Sequence, residues 1–402
     1  MEDKKGNNYN NQPEEIDPKL LEFATERQSE HIKAVMEHGS VHAASRETGF
    51  DRSTIQAAIK KCKASARRRG WDPQHSMTHT APEGFSVVGT TTLHHEQKGQ
   101  VLQWVRTKVD REKQAELAQE FANSLADEVR GLAKPIKKPV TNLNNLLTLY
   151  PLGDPHFGLH AWGEECGEDY DLKIAAKENK TANERISAAS PNTKIAIILN
   201  VGDFFHADNQ QKRTNRSNAL LDVDGRIQKV VRVGTQSLKY KIDLALAKHQ
   251  KVYVRNDMGN HDEILSQMLS LILEAYYQNE KRVIIDTSPN HYWYYEFGKN
   301  LFGSTHGDTI KMEALGEIMA EDEPEAWGRT QFRYWFTGHI HHKKVQEFRG
   351  CQVESFNTLA AKDAWHNKSG YRSKRNMQSI VFHKDYGEQE RHTISIEEIQ
   401  KK

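Results

Sequence analysis

The stretch Lys194-Ile195-Ala196-Ile197-Ile198-Leu199-Asn200-Val201-Gly202-Asp203-Phe204-Phe205-His206 decides how this chain is interpreted. Its apolar first part is typical of a buried strand, and the run ends at Gly202-Asp203. In four further blocks, Asp, Asn or His again follows the end of a strand-like run. These blocks read Gly153-Asp154-Pro155-His156, Gly259-Asn260-His261-Asp262, Thr305-His306-Gly307-Asp308 and Gly338-His339-Ile340-His341. Helical patterns lie between them, so the sequence predicts an α/β fold with its site at the carboxyl ends of strands.

The five blocks supply oxygen and imidazole donors, which suit manganese, zinc or iron. Together they would hold two metal ions about 3.5–4 Å apart, the arrangement that clamps a phosphoryl group during in-line displacement. The chain has 20 histidines, and we interpret isolated ones such as His31 and His75 as structural or solvent-exposed. Within the blocks, residue type, spacing and position after a strand agree. A purely structural interpretation of these histidines is therefore disfavoured.

The ordered set Asp-x-His, Gly-Asp-x-x-His, Gly-Asn-His-Asp, His-Gly and Gly-His-x-His resembles the calcineurin-like metallophosphoesterase superfamily, over roughly residues 145–385. The resemblance implies an α/β fold in the form of a four-layered α/β/β/α sandwich, with two metals at the strand ends and a metal-bridging hydroxide as nucleophile. Manganese is the expected metal, with zinc, iron or magnesium as alternatives. Asp203 would bridge both ions; Asp154, His156 and His341 would hold one, and Asn260, His306 and His339 the other.

The resemblance also implies catalytic roles beside the metal ligands. His261 would lie against the phosphate or the leaving oxygen and donate a proton or stabilise charge. Asp262 would orient His261 through a hydrogen bond. The second block looks like the nuclease subunit of double-strand-break repair complexes, in which the counterpart of His206 positions the nucleic-acid phosphate. The fourth block departs from that nuclease pattern, because His306 is followed by Gly307-Asp308 in place of an amide residue.

Two basic segments extend the candidate substrate site. Arg213 and Arg216 follow the second block and would hold a flanking phosphate, although a solvated helix start is an equal alternative. Residues 363–375 mix aromatic and basic side chains, as single-stranded nucleic-acid binders do. An exposed loop with one anchoring Trp is the alternative interpretation of that segment.

The N-terminal part predicts a small helical (helix-turn-helix) domain over residues 18–70. Gly49 suits the turn, Asp51 caps the second helix, and Ile55 and Ile59 face its core. A basic stretch follows, which is typical of DNA binding, although protein contacts stay an alternative. The candidate DNA-binding residues are Arg52, Ser53, Thr54, Gln56, Lys60, Lys61, Arg67 and Arg68.

A chain of 402 residues exceeds one hydrophobic core, so we expect several domains. We expect a disordered tail over residues 1–17, then a β-hairpin, helix and linker over 71–140. The metallophosphoesterase domain would cover 141–402. The layout of a helix-turn-helix, a hairpin and a phosphoesterase looks like that of proteins encoded by tailed bacteriophages.

The composition excludes some classes of protein. Charged residues make up 28% of the chain, the mean hydropathy is −0.79, and no apolar stretch approaches the roughly 20 residues that cross a bilayer. Three scattered cysteines argue against a disulfide framework and favour a cytoplasmic location, the host cytoplasm if a phage encodes the chain. The net charge of +1 does not indicate a partner.

The leading expectation is a two-metal phosphodiesterase, in particular a DNA-directed nuclease with nucleic acid or a nucleotide as substrate. A phosphomonoesterase or nucleotide phosphatase on small substrates is the first alternative. A DNA-binding regulator with an inactive phosphoesterase domain is the second, disfavoured because none of the seven expected ligands is missing. A homodimer stays open, since nuclease relatives often pair.

Overall fold

A computed structural model describes residues 16–73, 77, 80–81, 85–95, 99–109, 120, 122–141, 143–209, 211–214 and 219–401. The chain divides into two compact units, residues 1–117 and 118–402. Most of the expected disordered tail, residues 1–15, lies outside the described residues. Its last two residues are ordered: Ile16 is buried, and the Asp17 side chain accepts a hydrogen bond at the start of a 3-10 helix.

The first unit begins with helices that pack around one small core. The 3-10 helix Pro18–Phe23 is followed by α1 (Glu26–His38), α2 (Val41–Thr48) and α3 (Arg52–Arg68). Gly49 ends α2 in the left-handed conformation, with φ of 77°, and the Asp51 carboxylate caps α3 by accepting from Ser53 N and Thr54 N. Ile55 and Ile59 are buried, as the pattern predicted.

A hairpin completes the described part of the first unit. Strands β1 (Phe85–His95) and β2 (Gly99–Val109) pair antiparallel, which confirms the hairpin that the alternation predicted. The helix expected after the hairpin is described in part: residues 110–119 and 121 lie outside the described residues, and 122–129 is helical.

The segment after this helix belongs to the second unit and does not act as a free linker. Gly131 N donates to Ala275 O at 2.8 Å, Ala133 N donates to Tyr276 O, and Arg282 donates to Ile136 O. These bonds fix residues 131–136 against the rest of the second unit.

Two sheets form the centre of the second unit. The six-stranded sheet has the order β13-β12-β3-β4-β5-β6, and the five-stranded sheet has the order β10-β11-β9-β8-β7. Strands β3, β4, β5 and β6 run parallel, as do β8, β9 and β11. The strands are β3 (Leu143–Leu152), β4 (Thr193–Asn200), β5 (Lys251–Asn256), β6 (Val283–Ile285), β7 (Trp293–Phe297), β8 (Asn300–Ser304), β9 (Phe332–Thr337), β10 (Lys344–Phe348), β11 (Cys351–Ser355), β12 (Asn376–His383) and β13 (Gly387–Ser395).

Helices lie between and after these strands. They are α4 (Gly163–Cys166), α5 (Leu172–Ala189), α6 (Ile227–Lys248), α7 (Glu263–Tyr276), α8 (Leu315–Asp322), α9 (Pro324–Arg329), α10 (Ala364–Lys368) and α11 (Ile396–Gln400), with a 3-10 helix at Met312–Ala314. None of the described helices is long and apolar enough to cross a membrane.

Three buried clusters define the layers of the second unit. Between the sheets, Leu149 and Ile197 of the larger sheet pack with Phe302 and Phe336 of the smaller one. Outside the larger sheet, α5, α6 and α7 bury a second apolar cluster. Outside the smaller sheet, Met319 of α8 packs with strand residues. The expected α/β/β/α layering is therefore confirmed, and it places the carboxyl ends of the parallel strands where the five blocks begin.

Candidate metal centre

The five blocks follow β3, β4, β5, β8 and β9, and in three of them non-glycine residues adopt the left-handed conformation. The positive-φ residues are Asp154 (41°), His156 (45°), Asp203 (49°), His339 (68°) and His341 (53°). Among the described residues, Lys212 is the one other non-glycine with positive φ. This conformation is costly for a side chain with a Cβ, and such strain concentrates at functional sites. The strain here coincides with the residues that the sequence predicts as ligands.

Two glycines allow the blocks to approach one another. A Cβ at Gly259 would overlap the Asp203 carboxylate and backbone. A Cβ at Gly338 would overlap Asp154 Oδ1. The glycine in these motifs is therefore required by the packing of carboxylates from other loops.

Asp203 lies at the centre of the side chains that the blocks bring together. Its Oδ2 lies 3.3 Å from His306 Nε2 and 3.9 Å from His156 Nε2, and its Oδ1 accepts a hydrogen bond of 2.8 Å from His261 N. The carboxylate is almost fully buried. One carboxylate oxygen thus faces imidazole nitrogens from two different loops.

Two groups of candidate ligands share Asp203. His156, Asp203 and His341 form one group, and Asp203, His306 and His339 form the other, with ligand atoms within 4.8 Å in each. Asp154 Oδ2 lies 3.9 Å from His341 Nε2. Asn260 Oδ1 lies 3.1 Å from His306 Nε2 and so adjoins the second group. The structure therefore places the seven predicted ligands near one another, with Asp154 also 3.7 Å from His306 Nδ1, and their division into two sets of ligands stays a prediction.

Asp154 Oδ2 and His206 Nε2 are buried in the cluster with no hydrogen-bond partner. His156 Nε2 lies 3.0 Å from His341 Nε2, so ring nitrogens from two loops meet. His306 Nδ1 donates to Val201 O at 2.8 Å, which turns Nε2 toward Asp203 and Asn260. A buried carboxylate oxygen without a donor, among converging imidazoles, fits a bound cation, because a cation supplies the positive partner that this oxygen lacks.

Burial and charge set the protonation of the cluster. Burial lowers the pKa of His156 and of His341 well below the usual value, so both rings are neutral, as metal ligands must be. Burial also opposes the charge of His306, but the Asp203 carboxylate beside it raises its pKa to about 10. Burial opposes the charge of Asp203 as well, yet His306 and His261 hold the pKa of that carboxyl well below its usual range.

His261 borders the cluster and is partly open to solvent. Its ring lies 5.0 Å from that of His156, and its Nδ1 lies 2.9 Å from His206 O. His261 also forms a third group of potential ligands with His156 and His206, which the sequence interpretation did not foresee.

His206, the predicted phosphate contact, is buried deep in the cluster. Its Nδ1 lies 3.1 Å from His156 Nδ1, and its Nε2 is buried without a hydrogen-bond partner. Burial, with His261 nearby, lowers its pKa to about 3, so the ring is neutral. His206 thus lies between the candidate ligand His156 and the partly exposed His261, on whose ring it stacks with centroids 5.2 Å apart.

The role predicted for Asp262 is wrong in one respect. Its carboxylate accepts from Phe205 N at 3.0 Å, from Gly259 N at 3.2 Å and from Ser266 Oγ at 2.7 Å. The His261 ring instead uses Nδ1 to contact His206 O. Asp262 therefore joins the loops after β4 and β5 to the start of α7 and does not orient the His261 ring.

The basic residues after the second block are placed only in part. Arg213 is exposed and its backbone forms an isolated bridge with Leu220, whereas Arg216 lies outside the described residues. Their phosphate-binding role stays a prediction.

Sequence reasoning missed how the loop after β11 meets the centre. The His366 ring stacks on His341, with centroids 4.6 Å apart and planes at 19°. His366 Nδ1 lies 2.6 Å from Asp363 Oδ1. Burial opposes the charge of Asp363, but its bond to His366 lowers its pKa to about 2. The aromatic and basic composition of residues 363–375 was the available signal, yet nothing in it indicated a contact with His341.

The candidate DNA-binding residues lie in the first unit, on and beyond the solvent face of α3. All eight are exposed. The Ser53 hydroxyl donates to Asp51 within the helix cap, and Arg67 Nε pairs with Asp72 Oδ2 at 2.6 Å. Two of the eight side chains therefore already have partners within the protein.

No protein-family model and no curated protein sequence matches this chain. Solved structures do match. A predicted phosphoesterase from Streptococcus pneumoniae is 9% identical, covers 62% of this chain and 98% of its own, and has a TM-score of 0.27. Zinc-bound Vps29 from Entamoeba histolytica is 9% identical. The match covers 62% of this chain and 99% of Vps29, with a TM-score of 0.26. A dimetal phosphatase from Danio rerio is 8% identical. The match covers 62% of this chain and 99% of the phosphatase, with a TM-score of 0.33. Because these identities and TM-scores are low, any assignment of function must rest on this chain's own side chains.

Proposed function

We propose that this protein is a metal-dependent phosphoesterase that binds two divalent ions around Asp203. One observation carries the proposal: loops from five separate strands bring carboxylate, amide and imidazole side chains together around Asp203. Asp154 Oδ2 has no hydrogen-bond partner there, and His156 Nε2 faces His341 Nε2 at 3.0 Å. The donor set of carboxylate, amide and imidazole suits manganese, zinc or iron.

Two bound ions would lower the pKa of a shared water and stabilise the charge that develops on a phosphoryl group. The residues of this chain determine the direction from which the substrate approaches. Asp154, His156, Asp203 and His306 form a buried floor, while Asn260, His261 and His339 are at least partly exposed. The phosphoester therefore approaches from the side of this exposed rim.

His261 is the rim residue best placed to act on the substrate. Its backbone N–H is held by Asp203 Oδ1, and its Nδ1 faces His206 O. When Nδ1–H donates to that carbonyl, Nε2 is the atom left to meet a substrate oxygen. It can donate a proton only from the doubly protonated ring, which is the state that a general acid requires.

We further propose phosphodiesters, in particular nucleic acids, as substrates, with manganese as the metal. The exposed basic residues of α3 and the basic segment 363–375 support a polyanionic substrate. Hydrolysis of small phosphomonoesters is the second candidate, because the metal cluster alone does not discriminate between esters.

The test is hydrolysis by the purified full-length chain. We expect manganese-dependent cleavage of bis(4-nitrophenyl) phosphate, faster than cleavage of 4-nitrophenyl phosphate, and its loss with a chelator. Faster cleavage of the monoester would favour the second candidate. Absence of cleavage of either ester with manganese, zinc, iron or magnesium would contradict the proposal.

We also propose that α3 binds DNA through its exposed basic side chains. Because Arg67 is already paired with Asp72, the clearer test is Lys61→Ala with Arg68→Ala, two residues seven apart and so on one helix face. DNA affinity should fall, and the slope of log affinity against log salt should flatten by about 2, roughly one unit per lost phosphate contact. Lys137→Ala with Lys138→Ala, an exposed pair in the second unit, is the matched control. An unchanged salt slope in the α3 variant would contradict DNA binding by this face.

A further inference from the structure

An aromatic cluster lies beside the candidate metal centre, in the loop between β11 and β12. The His366 ring stacks on His341 at one face of the centre, and the Trp365 ring meets His366 edge-on with centroids 5.0 Å apart. The centroid of the Tyr371 ring lies 5.6 Å from that of Trp365 and 6.4 Å from that of His341. Trp365 is therefore only one ring removed from a candidate ligand.

The loop that carries this cluster is held by several bonds at its base. Asp363 Oδ1 accepts from His366 N, and Tyr371 N donates to His366 O at 3.0 Å. Asn367 Nδ2 donates to Glu165 O at 2.7 Å, which ties α10 to α4. Arg375 pairs with Glu178 and Glu168 where the loop returns to β12. The position of Trp365 is thus set by the backbone around it.

Packing in a hydrophobic core does not explain why a tryptophan stands at position 365. Trp365 is 61% exposed, so most of its ring surface faces solvent although the loop around it is fixed. An exposed aromatic ring on a fixed loop at the edge of a site is typical of a surface that stacks a planar ligand.

The charges around the ring indicate what kind of ligand fits. Lys368, Arg372 and Lys374 are exposed on the same segment. Its acid Asp363 is bonded to His366, and the nearby Glu397 pairs with Lys374 at 3.8 Å. A planar ring attached to negatively charged phosphates matches this combination.

We propose that Trp365 and Tyr371 form a stacking platform for the nucleobase of a substrate whose phosphoester lies at the metal centre. This inference rests on the proposed phosphoesterase function and specifies its substrate class as base-bearing phosphoesters. Stacking of this kind tolerates any base, because every base has a π-face, so the platform selects nucleotides without selecting sequence.

The experiment compares two single-stranded oligonucleotides of equal length, one of thymidine and one abasic, in the full-length protein with manganese. In Trp365→Ala, the ratio of kcat/KM for the thymidine strand to kcat/KM for the abasic strand should fall about tenfold, as expected for the loss of one stacked base. Trp365→Phe should keep most of the ratio, because it retains a ring. Tyr386→Ala removes an exposed aromatic from the turn between β12 and β13 and should leave the ratio unchanged.

Binding of the same two strands, measured separately, distinguishes the two proposals. If the strands are cleaved but the ratio is the same in Trp365→Ala and in the parent, the platform is refuted and the phosphoesterase stands. If neither strand is cleaved while Trp365→Ala still loses its preference for binding thymidine over abasic strands, the platform stands and the nuclease proposal fails. Thymidine 5′-(4-nitrophenyl) phosphate in a third arm shows whether one nucleotide is enough or a strand is needed. Equal binding of all substrates by parent and Trp365→Ala would overturn the inference.

Discussion

Two buried polar clusters in the second unit differ in how their charges are balanced. Around Arg391, donors meet acceptors: the guanidinium contacts both carboxylate oxygens of Glu354, at 2.5 and 2.8 Å, and both of Glu388, each at 2.9 Å. Around Asp203 the balance is incomplete, because Asp154 Oδ2 is buried with no hydrogen-bond partner beside the Asp203 carboxylate and its histidines. The first cluster is balanced by the protein itself, whereas in the second a bound cation would supply the partner that Asp154 lacks.

The comparison separates structural polar groups from functional ones. The Arg391 guanidinium donates to the carboxylates of Glu354 and Glu388 and so joins strands β11 and β13. Because these charges already balance, a ligand would not stabilise this cluster further. A cluster that combines strained left-handed residues with unpaired lone pairs is stable in the fold only because the surrounding layers hold it. The changes below should therefore affect turnover in one cluster and stability in the other.

The largest effect is expected from Asp203→Asn. The amide keeps the size of the side chain but removes the charge shared by both groups of ligands, so turnover should fall to undetectable levels. In the parent protein, metal at about 100 times its Kd should raise the free energy of unfolding by about 2.7 kcal/mol. Thermal unfolding with and without manganese should show this gain in the parent and in the control Asp385→Asn, but not in Asp203→Asn. Full turnover in Asp203→Asn would contradict the shared-ligand arrangement.

His261→Ala should lower kcat by about 10²–10⁴-fold while both metals stay bound, because a general acid acts on the substrate without holding the ions. Metal content per chain, measured together with kcat, checks this prediction, and the exposed His291→Ala is the matched control. Loss of metal from His261→Ala would instead place His261 among the ligands, as its closeness to His156 and His206 allows.

The sequence predicted those parts of the fold and site that are encoded locally. The run ending at Asp203 could be interpreted because an apolar strand and the ligand that follows it are adjacent in the chain. The partners of Asp262 could not be predicted, since Phe205 lies 57 residues away and meets it only after β4 and β5 pair. Contact between His366 and His341 depends on how a loop folds back, which has no local pattern. Left-handed φ at Asp154 and His339 is only weakly indicated by residue type, because Asp and His are enriched at positive φ but seldom adopt it.

Arg391→Met should destabilise the protein by about 3 kcal/mol, because it leaves the buried Glu354 carboxylate without its main partner. Adding Glu354→Gln should recover much of this loss, since the amide needs no counter-charge. Chemical denaturation of the three proteins measures the difference. The metal affinity of each folded variant should match that of the parent, and a parallel loss of metal would show that the two clusters are not independent.

Lys241 is a buried lysine without a hydrogen-bond acceptor, the reverse of Asp154 Oδ2, which is a buried acceptor without a donor. Its Nζ lies 4.0 Å from the Tyr150 ring centroid and has no hydrogen-bond partner. Burial lowers its pKa to about 7, whereas an unfolded lysine titrates near about 10.4. Between these values the unfolded chain holds the proton that the folded chain has released, so stability rises with pH through this window.

Lys241→Met removes this titration. The variant should be more stable than the parent at pH 7 and below, by at most about 5 kcal/mol, and the advantage should shrink as the pH rises toward about 10. Denaturation at several pH values measures it. An advantage that does not change with pH would show that the lysine titrates normally in the folded protein.

The most direct test of the central claim is an anomalous-scattering map from crystals of the full-length protein soaked in manganese. We expect two peaks about 3.5–4 Å apart, with the Asp203 carboxylate between them. Asp154, His156 and His341 should contact one peak, and Asn260, His306 and His339 the other. A single peak, or peaks that Asp203 does not contact, would contradict this claim.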